Sequence, residues 1–189
     1  MNLASLPNVL TVARIVAVPL VVVLFYWQHP WSNPLAAIVF IAAAITDSLD
    51  GYLARRLGLT TPLGEFLDPV ADKLMVATAL VLLVGHDTRA FIVITAVVII
   101  GREITVSALR EWMAHLGSRA KVAVSGMGKV KTIVQMTGLS MMMFRSDVFG
   151  LPVYEIGVVL LVVAGVLTLW SMVSYLQAAW PELRRDHHS

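Results

Sequence analysis

Four aspartates stand close together in the chain as two pairs: Asp47 and Asp50 are three residues apart, Asp68 and Asp72 four. On a helix, spacings of three and four put side chains on one face, with neighbouring Cβ atoms about 5–6 Å apart. Two such helices joined by a short loop bring both faces to one depth. Carboxylates packed this closely repel one another unless protons or cations intervene. An all-oxygen donor set fits Mg²⁺, Mn²⁺ or Ca²⁺ rather than zinc or copper, so the spacing predicts a one- or two-metal site. The chain has no cysteine, which excludes thiolate ligands and a cysteine nucleophile. Its five histidines pair with no carboxylate at ligand spacing and receive no chemistry.

The elements that must position these acids are set by an apolar composition. Of 189 residues 58% are hydrophobic and 14% charged, with a mean hydropathy of +0.82, whereas soluble domains carry about 25% charged residues. The fold class expected is all-α integral membrane, a single domain over 1–189 built as a six-transmembrane-helix bundle. The apolar segments lie over 8–27, 34–57, 67–85, 88–109, 127–145 and 151–175. They must be helices because a lipid-exposed backbone has to satisfy its own hydrogen bonds. A net charge of +2 is too small to suggest nucleic acid as a partner. With a cytoplasmic N-terminus, 12 of the 14 basic residues fall on that side, leaving Arg89 and Arg145 opposite. Both termini are then cytoplasmic.

Charge also varies with depth. Spans two to five each have one clean half and one half with ionisable groups: Asp47, Asp50 and Arg55; Asp68, Asp72 and Lys73; Arg102, Glu103 and Arg110; Lys129 and Lys131. All the polar halves lie on the expected cytoplasmic side. Charges inside spans cost several kcal/mol each (order of magnitude) unless paired, hydrated or metal-bound. Four helices bearing them at one depth therefore imply a shared wet cavity open to the cytoplasm. Gly51 and Ala54 suit either close approach of a ligand to the backbone or close helix packing. Arg55 suits either a phosphate clamp or an interfacial anchor beside Arg56.

The full pattern, D-x-x-D-G-x-x-A-R-x8-G-x-x-x-D-x-x-x-D from Asp47 to Asp72, is similar to the signature of the CDP-alcohol phosphotransferases at every defined position. The resemblance implies a six-helix membrane bundle, a homodimer, in which a CDP-linked lipid loses CMP as an alcohol attacks its lipid-side phosphorus. It implies Asp47, Asp50 and Asp68 as ligands of Mg²⁺ or Mn²⁺, one or two ions, and Asp72 as both metal ligand and catalytic base. Asp50, Gly51, Ala54, Arg55, Gly64 and Asp68 would hold the CDP group. Asn8 and Thr11, with Arg14, would border the same pocket, although a helix cap and a snorkelling arginine account for them equally well.

The acceptor must be read from the rest of the chain. Arg102, Arg110, Arg119, Lys121, Lys129 and Lys131 gather at the cytoplasmic ends of spans four and five. They suit an anionic acceptor's phosphate or anionic lipid head groups, and Glu103 is expected to pair with one of these cations. The stretches 6–11, 61–73, 101–112 and 128–135 resemble a bacterial branch of the family that uses CDP-diacylglycerol and glycerol 3-phosphate. That resemblance runs nearly end to end and implies the bacterial inner membrane, with membrane lipids as partners. Arg102, Arg110, Arg119, Lys129 and Lys131 would then bind the acceptor phosphate. The alternatives are another acceptor (serine or inositol phosphate), an ion-coupled transporter, since intramembrane acids also mark ion pathways, and a non-catalytic membrane scaffold.

Overall fold

The computed structural model describes the backbone over residues 6–57, 62–115 and 126–185, and side chains over 9–47, 49, 64, 66–109, 111–113 and 130–177. Six helices follow one another: α1 Leu6–Tyr26, α2 Ser32–Leu57, α3 Pro62–His86, α4 Ala90–His115, α5 Gly126–Phe144 and α6 Val153–Arg185. Among the described residues there is no strand, only an isolated bridge between Val148 and Leu151 in the α5–α6 turn. The all-helical expectation is met. Among the described residues, three helices are long and apolar enough to cross a membrane, over Val9–Tyr26, Ala90–Met113 and Val153–Gln177. The apolar stretch of α2, Ser32–Asp47, is shorter, and α3 and α5 carry their charges inside the helix.

The boundaries differ from the apolar segments for physical reasons. Helix α3 starts at Pro62, five residues earlier than expected, because a proline at the first helical position gives up an N–H that has no partner there anyway. Asp68 and Asp72 therefore sit inside a continuous helix. Helix α4 runs on to His115 and α6 to Arg185, since a helix need not end where its apolar stripe does. Residues 116–125, between α4 and α5, lie outside the described residues.

Helix α1 shows how the bundle sorts its faces. Val12, Val16, Leu20 and Val23 recur at helical spacing and are exposed, as suits a lipid-facing stripe. The opposite stripe, Thr11, Arg14, Val21 and Phe25, is buried against α2 and α3. Its polar members are at one end and its apolar members at the other. The dry core follows the same division: Val21, Leu80, Leu83, Ile92, Leu139, Met142 and Met143 pack together away from the acids.

Helix α6 is gripped on two sides. A Cβ placed on Gly157 would lie 2.8 Å from the Gly138 carbonyl oxygen, and one on Gly138 would lie 3.0 Å from the Gly157 carbonyl. The α5–α6 crossing thus needs both glycines, as in small-residue packing between membrane helices. One face further along, a Cβ on Gly165 would meet Thr95 Cγ2 of α4 at 2.8 Å.

A clasp closes the end remote from the acids. Arg89 Nη2 lies 2.7 Å from Asp87 Oδ2, Arg89 Nη1 lies 3.0 Å from Glu155 Oε2, and the Tyr154 hydroxyl donates to Asp87 Oδ2 at 2.9 Å. Hydrogen bonds from Arg89 hold the Asp87 carboxyl down to about 2. The turn between α3 and α4 is thereby tied to the start of α6.

Candidate active site

The buried polar stripe of α1 meets the acids of α2 and α3. Arg14, only 3% exposed, donates from Nη1 to Asp72 Oδ1 at 2.9 Å and lies 2.6 Å from Asp47 Oδ1 through the same nitrogen. One turn earlier, Thr11 donates its hydroxyl to Asp68 Oδ1 at 2.5 Å. Thus α1 holds one carboxylate of α2 and two of α3. Arg14 does not snorkel: two carboxylates at its own depth match its charge, so reaching for the interface gains nothing. Thr11, expected to border the CDP pocket, is joined to Asp68, another residue expected there, by this bond.

Asp47 and Asp72 remain 35% and 46% exposed at their side chains. They face a cavity of about 130 Å³ whose other walls include Arg14, Phe40, Met75, Thr132 and Met136. Hard oxygen donors directed at one cation-filled position, with free faces open to a cavity, suit a divalent ion. Among the described residues no group of three or more acids or imidazoles converges at metal-holding distance. The side chains of Asp50, one of the four expected ligands, and of Ala54, Arg55 and Asn8 lie outside the described residues, as do the surroundings of Gly51. Gly64 is buried in the first turn of α3.

The basic residues form a second network across α4, α5 and α6. Glu103 Oε1 receives Arg102 Nη1 at 3.0 Å and Lys131 Nζ at 2.9 Å, which fulfils the expectation that Glu103 pairs with a cation. Arg102 Nη2 also donates to Ser171 Oγ at 3.3 Å, and its guanidinium lies 5.4 Å from the Tyr175 ring centroid. Two polar atoms here are buried without a hydrogen-bond partner: Arg102 Nε and Gln135 Oε1. A donor and an acceptor left over at one level are what a ligand carrying both phosphate and hydroxyl would satisfy. The side chains of Arg110 and Lys129, and Arg119 altogether, lie outside the described residues.

The two networks are neighbours. Lys131 and Thr132 are consecutive on α5; Lys131 joins Glu103 while Thr132 lines the carboxylate cavity. Sequence reasoning missed Gln135, Ser171 and Tyr175 as parts of the site. The four-residue spacing of Lys131 and Gln135 was a usable signal, since it puts both on one face of α5; Ser171 and Tyr175 share that spacing on α6.

The model of the CDP-alcohol phosphatidyltransferase family matches residues 4–170, which includes every acid and cation placed above. The chain belongs to the CDP-alcohol phosphatidyltransferase family. Among its relatives, a protein of Pseudomonas fluorescens is 51% identical over 183 residues, 96% of this chain and 93% of that one. A protein of Shigella flexneri serotype 5b and one of Salmonella choleraesuis are each 48% identical over 179 residues, 95% of this chain and 97% of theirs. All three are named CDP-diacylglycerol--glycerol-3-phosphate 3-phosphatidyltransferase. With the family shown, the transporter and scaffold alternatives fall away.

Proposed function

We propose that the chain transfers the phosphatidyl group of CDP-diacylglycerol to glycerol 3-phosphate, releasing CMP. The observation that carries this reading is the adjacency of a carboxylate cavity and a buried cationic network on the two sides of α5, in a chain half identical to enzymes of that name. An acceptor hydroxyl oxygen forms a bond to the lipid-side phosphorus, the bond from that phosphorus to the CMP oxygen breaks, and CMP leaves with the electron pair. Asp72 faces the cavity and receives the hydroxyl proton. Arg102 and Lys131 take the acceptor's phosphate, and Gln135 its spare hydroxyl. Asp47, Asp50, Asp68 and Asp72 would hold Mg²⁺ or Mn²⁺, one or two ions, which when bound neutralises charge on the pyrophosphate. Arg14 and Thr11 keep three of those acids in register, and Asp50, Gly51, Ala54, Arg55, Gly64 and Asp68 surround the cytidine end.

In this reading all six helices span the bacterial inner membrane with both termini and the active site on the cytoplasmic side, and the enzyme is a homodimer. The distribution of basic residues supports that orientation. The test is CMP release from CDP-diacylglycerol by purified protein with Mg²⁺ or Mn²⁺ and one acceptor at a time. Release with glycerol 3-phosphate, lost in Asp72→Asn and requiring at least about tenfold more acceptor in Lys131→Met, is the expected result. Release with serine or inositol phosphate instead would keep the family and change the acceptor.

A further inference from the structure

At the end of the bundle remote from the carboxylates, a cavity of about 440 Å³ opens between the end of α1, the start of α2 and the residue that follows α5. Its walls include Phe25, Trp27, Gln28, Asn33 and Arg145, and none of the residues lining it bears a carboxylate. Arg145 terminates α5 with a φ of 58°, in the left-handed region, which turns its side chain back towards α1. The guanidinium carbon lies 4.2 Å from the Phe25 ring centroid, so the cation sits over an aromatic face. Its Nε and Nη2 are buried and have no hydrogen-bond partner, and among the described residues it makes no ion pair. The other cation at this end, Arg89, is matched by Asp87 and Glu155.

A guanidinium on the wall of a cavity that bears no carboxylate, with two of its nitrogens desolvated and unmatched, is an incomplete site. Burial lowers the Arg145 pKa, yet a guanidinium stays charged in proteins, so the missing component is an anion. We propose that this cavity binds a phosphate-bearing anion through Arg145, with the Gln28 and Asn33 amides and the Trp27 indole as neutral donors. The planar fork of an arginine matches phosphate oxygens in pairs. The source is either the head group of a surrounding phospholipid, which the aromatic rim at a helix end favours, or free phosphate. The site is separate from the carboxylate cavity and does not rest on the transferase reading.

The test uses full-length protein in phosphatidylcholine nanodiscs, titrated with dioleoylphosphatidylglycerol or with inorganic phosphate and read by native mass spectrometry and thermal unfolding. The variants are Arg145→Gln and Asn33→Asp. The second adds a carboxylate to the cavity in the first turn of α2, where a negative charge is compatible with the helix, so folding is retained. The expected result is a saturable binding component in the parent, beyond any binding at the Arg102–Lys131 network, that is weakened about tenfold or more in both variants. If phosphatidylglycerol fills it, the ligand is a lipid head group; if inorganic phosphate does, it is a soluble anion. Binding of both probes that is unchanged in Arg145→Gln, or retained in full by Asn33→Asp, overturns the proposal, and should Arg145→Gln fail to fold, Asn33→Asp alone decides.

Discussion

Arg14 and Asp72 are joined at 2.9 Å by the same guanidinium nitrogen that reaches Asp47 at 2.6 Å, so one buried cation ties the acids of two helices together. Replacing it with glutamine leaves two carboxylates facing each other. Breaking a fully buried pair costs about 3–5 kcal/mol; here both acids are partly open to water, and a loss nearer 1–3 kcal/mol is expected. Mg²⁺ should then raise the unfolding temperature more in Arg14→Gln than in the parent, where it must compete with the guanidinium. Equal shifts in a thermal melt would show that the ion does not meet these two acids.

Glu103 is the shared acceptor of Arg102 and Lys131. Glu103→Gln should lower stability by about 1–3 kcal/mol through the buried charges it leaves unmatched. It should also strengthen the positive field felt by an anionic acceptor, so KM for glycerol 3-phosphate should fall severalfold and become more salt-dependent. A raised KM in steady-state assays would mean that Glu103 itself binds the acceptor.

The glycines of α5 and α6 predict a contrast in stability. Gly157→Ala forces a methyl group to 2.8 Å from the Gly138 carbonyl, and overpacking of this kind costs about 1–3 kcal/mol. Gly101 in α4 has nothing within 4 Å of an added Cβ. Gly101→Ala should therefore be neutral or stabilising by up to about 1 kcal/mol. Unfolding of the two variants in detergent measures the difference directly.

The Asp87 carboxyl, held at about 2 by Arg89 against an ordinary value of 3.8, sets a pH dependence with a definite sign. A depressed carboxyl contributes stability that is complete above its ordinary value and lost as pH falls through its folded one. The gap in unfolding temperature between the parent and Asp87→Asn should be constant above about pH 5 and shrink between pH 4 and 2. A gap that widened on acidification would reverse the assignment.

Because the chain has no cysteine, a single introduced thiol reports on topology without background. Ser146 lies exposed in the α5–α6 turn. In whole cells, Ser146→Cys should react with a membrane-impermeant maleimide, as the orientation by basic residues requires. Labelling only after the cells are broken would invert the bundle.

The acids were legible in the sequence because helical spacing alone puts Asp47 with Asp50 and Asp68 with Asp72, whatever the tertiary arrangement. Arg14 was not, since its role depends on which face of α1 meets α2 and α3, and one residue of rotation would have turned it to lipid. Charge alone marks Lys131 as a phosphate ligand; that Glu103 already engages it depends on the register of α4 against α5. The start of α3 was placed too late because hydropathy marks where a helix becomes apolar, not where its hydrogen bonding begins. Helix α6 was cut short at Tyr175 for the converse reason.

The burial of Arg14 bears on how the chain is assembled in the bilayer. Helix α1 precedes α2 and α3 in the chain, and an arginine in the polar part of its span raises the cost of placing that helix alone in lipid, by less than the roughly 3 kcal/mol of a helix-centre arginine. The acids that match it arrive only with α2 and α3. The lowest-energy placement of α1 in the bilayer is therefore reached only in company with α2 and α3, so Asp47 and Asp72 bear on assembly of the bundle as well as on the cavity that they line.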